Sequence, residues 1–181
     1  MKNPIRNTVS ALAAFTVIVG SGLSVASAAW AQQKERPLKD QLVGSWKILT
    51  DKMQIEGQQQ WKEPLGANPK GYVIFTAGGR YMQLLTGSGR RPATGDAERT
   101  GLLNSMSAFS GKYVVDNDQL VIMVDTSWSE AHQGDRQKQV RLINLDGNKL
   151  TLRTPLQVGG RTVTLGGNFR TVTEYVMERE E

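Results

Sequence analysis

The sequence has no cysteine and only one histidine in 181 residues. Without cysteine there is no disulfide, no thiol nucleophile and no lipid attachment through an N-terminal thiol. A lone imidazole with no thiolate beside it also leaves too few ligands for zinc. That histidine, His132, lies among Glu130, Gln133 and Asp135 and reads as a surface residue, not as the held base of a Ser-His-Asp triad. Asp116-Asn117-Asp118 lacks the spacing of a calcium loop and reads as a turn. Neither a metal nor any other cofactor is expected. A large charge surplus is missing too: without Lys2 and Arg6, 20 of the 22 Lys and Arg remain against 17 Asp and Glu, a net +3. The basic residues are scattered with no aromatic platform between them, which argues against nucleic acid as a partner.

A nucleotide-phosphate loop is also absent, although residues 65–85, LGANPKGYVIFTAGGRYMQLL, are rich in glycine. Gly66 and Gly71 have the separation of a Walker loop, but Tyr72 and Val73 stand where Lys and Ser or Thr are required. A strand follows these glycines where a dinucleotide site needs a helix. They are turn residues.

Two kinds of segment are present. Lys2 and Arg6 precede a stretch with no charge until Lys34, and its end carries Ala26-Ser27-Ala28 and Ala29-Trp30-Ala31. A basic start, an apolar run and a small-residue exit describe a signal peptide, residues 1–31, with cleavage favoured after Ala31 over the earlier site. Glycines and serines dilute the run, so no stable membrane anchor is expected after cleavage, and the protein is placed in the periplasm or outside the cell. Residues 32–41 form a polar lead-in containing Pro37.

From residue 42 to 181 short apolar runs recur between turn residues, the rhythm of an all-β fold. Strands are expected at 42–50, 53–61, 72–76, 80–85, 109–116, 119–128, 138–145, 149–155, 159–168 and 170–180. Asp146-Gly147-Asn148 marks the clearest hairpin. Asp96 is expected to cap the one short helix, 97–108. The expected fold is a single domain: an antiparallel up-and-down barrel of about 8–10 strands, since closure removes the edges an open meander would expose.

Several segments resemble the lipocalin-like domain family of bacteria and fungi. They are LVGSWKIL (42–49), residues 65–85, FSGKYVVDND (109–118), QVRLINLDGNKLTLRTP (139–155) and MERE (177–180), in the family's order. The most specific block is Leu-Gly-x-Asn-Pro-x-Gly-Tyr. The resemblance implies a barrel around an apolar cavity and no single shared reaction. It also implies closure of one end by Gly44, Trp46 and Arg179, with the arginine stacked on the indole. This chain departs from the family pattern in having no histidine on the strand 120–127, and its loop 128–138 is more polar than usual.

One face of each strand supplies the expected lining: Tyr72, Ile74, Tyr81, Tyr113, Ile122, Val124, Leu142 and Tyr175, with Arg141 among the polar groups. No catalytic set is assembled by the sequence, so the reading leans away from an enzyme. The expected function is binding of a small hydrophobic or amphipathic molecule in the barrel. The alternatives are a cyclase or isomerase acting on an apolar substrate, and a non-catalytic interaction module with a filled barrel. Asp125 and Glu174 are the carboxylates weighed for acid–base work, with Glu174 expected to face solvent beside Arg170 and Glu178.

Overall fold

The structure, a computed structural model, describes residues 36–158 and 169–180. The signal peptide, residues 32–35 of the lead-in and the strand expected at 159–168 lie outside the described residues.

A short helix, α1 (Leu38–Leu42), leads into β1 (Gly44–Ile55). Then come β2 (Trp61–Lys62), β3 (Lys70–Phe75), β4 (Arg80–Thr86), helix α2 (Asp96–Asn104), β5 (Met106–Asp116) and β6 (Gln119–Ser127). Two 3-10 turns, Glu130–His132 and Gly134–Gln137, precede β7 (Lys138–Asp146), β8 (Lys149–Arg153) and β9 (Thr171–Glu180). The antiparallel order is β2-β1-β3-β4-β5-β6-β7-β8-β9, and β1 also pairs with β9. Eight strands therefore close into a barrel, with β2 added on the flank of β1. The closing seam runs from Ser45↔Glu180 to Ile55↔Thr171, leaving neither terminal strand as a long free edge.

Three elements differ from the sequence reading. The strands expected at 42–50 and 53–61 are largely one long strand, β1, broken by a bulge between Ile48 and Thr50. The expected helix stops at Asn104, because Met106 and Ser107 pair with Thr86 and Leu85 of β4 and the ladder wins the last turn. Gly95, not Asp96, holds the cap position, and the Glu98 carboxylate reaches back to the Thr94 N–H at 2.6 Å. These contacts hold the Glu98 carboxyl below its ordinary pKa. Helix α1 was not anticipated at all.

The inner face is packed by Trp46, Phe75, Tyr81, Leu120, Leu150 and Met177, among others, in one continuous core. Phe75 meets Tyr81 and Tyr113 edge-on, with centroids 5.3 and 5.2 Å apart. The narrow approach of β5 to β6 depends on Gly111, where a Cβ would lie 2.2 Å from the Met123 carbonyl oxygen.

One end is shut by α1. The helix ends in carbonyls that have no intrahelical donor. Trp46 Nε1 donates to Leu42 O at 2.7 Å, and Arg179 donates to Val43 O at 2.8 Å and to Gln41 O. The guanidinium carbon of Arg179 also sits 4.2 Å over the Trp46 ring. Gly44, at φ +134°, makes room for this, since a Cβ there would lie 2.8 Å from Arg179 Nη1. Indole, guanidinium and helix terminus form one plug.

Trp46→Ala is expected to cost about 3–5 kcal/mol, seen as a drop in Tm on the order of 10 °C. Gly44→Ala should also lower Tm by displacing Arg179, while a second change, Arg179→Ala, should add little to it. An unchanged Tm in Trp46→Ala would remove the plug from this account.

Candidate functional site

The tight turns 76–79, 117–118 and 147–148 lie at the end shut by α1, whereas the connections 56–69, 87–105 and 128–137 lie at the other. Polar residues enter the barrel wall toward that second end. Strand alternation puts Gln83 inward between Tyr81 and Leu85, and Gln139 and Arg141 inward on β7. On β1 the bulge reverses the alternation, so Asp51 faces in with Met53 where an unbroken strand would present Thr50 and Lys52.

These groups are joined into chains. Tyr81 Oη donates to Gln83 Oε1 at 2.7 Å, and Gln83 Nε2 donates to Ser107 Oγ at 3.1 Å. Burial pushes the Tyr81 hydroxyl well above its ordinary pKa, with the Arg141 charge pulling the other way, so Tyr81 stays a neutral donor. Arg141 donates to Val140 O at 2.9 Å and, through both terminal nitrogens, to Gln139 Oε1 at 3.4 Å. Gln139 Nε2 in turn donates to Arg136 O at 2.5 Å, and Arg136 Nε to Ala131 O at 3.0 Å. The segment 128–137 is thereby tied over the barrel wall.

His132 is carried inward by this tie, which corrects the surface position expected for it. Its ring is buried, 4.8 Å from that of Phe109, which itself stacks on Tyr81 at 5.5 Å. Ser127 Oγ accepts from the Ser129 N–H at 3.2 Å and lies 2.9 Å from His132 Nδ1. Burial, then the charges of Arg141 and Arg136, pull the His132 pKa down to about 4. A cleft of about 420 Å³ between β6 and the 3-10 turns opens onto Ser127, Glu130 and His132.

The expected lining divides by strand parity. Tyr81, Tyr113, Ile122, Val124, Arg141 and Tyr175 lie on the inner face. Tyr72, Ile74 and Leu142 do not: they are 41%, 39% and 39% exposed on the outside. Val73 and Phe75 hold the inner positions of β3, and a strand that turns Arg141 inward must turn Leu142 outward. Tyr72 instead bonds Glu180 at 3.2 Å across the outer wall. Asp125 is likewise outside, paired with Arg80, whose bond holds its carboxyl below the ordinary range. Gln83, Gln139, Asp51 and His132 were missed; the alternation of β4 and β7 contained the first two, but nothing local marks a bulge or a tucked loop. Among the described residues no three of His, Asp and Glu gather closely enough to hold a metal ion.

The model of the lipocalin-like domain matches residues 43–172. Among the curated proteins none matches the sequence. A lipocalin-like protein from Bacteroides uniformis is 11% identical, with 77% of this chain and 98% of that one covered and a TM-score of 0.41. An uncharacterized protein from Bacteroides eggerthii is 16% identical, with 77% and 99% covered and a TM-score of 0.37.

The tucked imidazole makes stability depend on pH. A pKa of about 4 in the fold against an ordinary 6.5 means that the folded state favours the neutral ring. That contribution is complete above pH 6.5 and is lost as pH falls toward 4, by an amount on the order of 2–3 kcal/mol. Urea midpoints of wild type and His132→Gln measured from pH 7.5 to 4 should converge or cross as the wild type loses this increment. Parallel curves would contradict the burial of the ring.

Proposed function

The chain belongs to the lipocalin-like domain family, and from that premise we propose that it is exported and binds a small amphipathic molecule inside its barrel. The observation that carries the reading is the composition of the inner face. A wall serving only as core has no use for Gln83, Gln139 and Arg141, because each buried polar group must find partners to offset its lost hydration. An apolar chamber with a few polar groups set at one end is how small-molecule sites are built. Apolar side chains of the inner face receive the body of the ligand, and the inward polar groups receive its head. The cleft at His132 is the side from which it enters.

A second reading, a cyclase or isomerase, is favoured by the burial of Asp51, 1% exposed, in the same interior as Arg141. An enclosed carboxylate is the group such a reaction uses as acid or base. Under this reading a compound recovered from Asp51→Asn protein differs in chromatographic retention, at unchanged mass, from that recovered from the wild type.

Titration of the purified protein with the neutral fluorophore Nile red should give saturable binding at one site per chain, and native mass spectrometry of gently isolated protein should show a co-purified mass. No saturation and no added mass would count decisively against barrel binding. Cell fractionation should place the protein outside the cytoplasm, at a mass lower than that of the full chain by the cleaved leader.

A further inference from the structure

We infer that the head group of the bound molecule is a carboxylate, held by Arg141. The inference rests on the barrel-binding reading and adds to it the chemical class of the ligand.

Arg141 is 4% exposed. A guanidinium offers five N–H donors in a planar fork. Here the partners are Val140 O at 2.9 Å and the amide oxygen of Gln139 at 3.4 Å from both terminal nitrogens. All of these are neutral, and the Gln139 contacts are long. The Nε–H is buried with no hydrogen-bond partner. Ion pairs between described residues join Lys47 to Glu178, Arg80 to Asp125, Arg99 to Asp96 and Arg170 to Glu56, and Arg141 takes part in none of these. Asp51, the buried carboxylate of β1, does not come within ion-pairing distance of it.

A buried cation held only by neutral acceptors is an unfavourable arrangement, and a chain selected for stability alone would replace it with an apolar residue. Its neighbours deepen the preference for an anion. His132 is neutral, so it does not compete for one, and the Tyr81 hydroxyl is a donor on the same inner face. Arg136, in the segment folded over this end, adds a second positive charge near His132. The fork of an arginine matches the two oxygens of a carboxylate, which can reach Nε and a terminal nitrogen together. The Gln139 contacts are weak enough to yield to it.

Two dansyl probes of the same chain length separate the possibilities: dansylaminoundecanoic acid and its methyl ester. The purified protein should bind the acid roughly 10- to 100-fold more tightly than the ester, the usual range for charge-assisted bonds. Arg141→Met should erase that preference while keeping the affinity for the ester. The ligand-free variant should melt at or above the wild-type temperature, since it removes a buried charge whose hydrogen-bond acceptors, Val140 O and Gln139 Oε1, are neutral. The acid should raise the Tm of the wild type and not that of the variant. Equal binding of acid and ester by the wild type overturns the carboxylate inference and leaves barrel binding standing. Binding of neither probe, or of Nile red, overturns both. Arg141→Met and Arg141→Lys that melt well below the wild type would make Arg141 a structural residue and overturn the inference from the other side.

Discussion

The pairing of β1 with β9 is the constraint on which the rest depends, because it turns a meander into a tube. Strands that only follow one another would leave two unpaired edges and one inner face open to water. Once β9 lies along β1, Arg179 arrives beside Trp46, and both reach the last carbonyls of α1. A five-residue helix is too short to persist alone in water. It persists here because its C-terminal oxygens are satisfied by side chains that the barrel itself delivers. Closure of the sheet and closure of the end are a single event.

The opposite end is built on the reverse principle. There the interior takes in a guanidinium, two glutamine amides, a carboxylate and an imidazole. Hydrogen bonds among Tyr81, Gln83 and Ser107, and from Arg141 through Gln139 to Arg136, keep most of these groups partnered. Such a network rigidifies when complete and is costly when a member is left short. Arg141 is the member left short. A packed plug closes one end, and inward polar groups held in hydrogen-bonded chains stand toward the other.

His132 joins the two themes. It lies in a segment whose sequence is polar enough to float in solvent, yet Arg136 bonds Ala131 and the ring packs on Phe109. Local composition favoured exposure; a hydrogen bond from Gln139 on β7 and an aromatic surface on β5 outweighed it. The neutral ring then packs against Phe109 without adding charge to the interior.

Residue patterning alone determined the all-β class, the hairpin at Asp146-Gly147-Asn148 and the order of most strands, because each depends on periodicity or on turn chemistry within a few residues. Family resemblance added the pairing of Trp46 with Arg179. The tertiary structure decided what depends on contacts between distant segments. Asp51 faces inward because β1 bulges between Ile48 and Thr50 in its pairing with β9. Tyr72, Ile74 and Leu142 face outward because strand phase admits one parity to the interior, and neighbouring ladders choose which. Helix α1 exists because a guanidinium from the far end of the chain caps it. A chain encodes its alternation residue by residue, but which face becomes the inside is settled only when the strands meet.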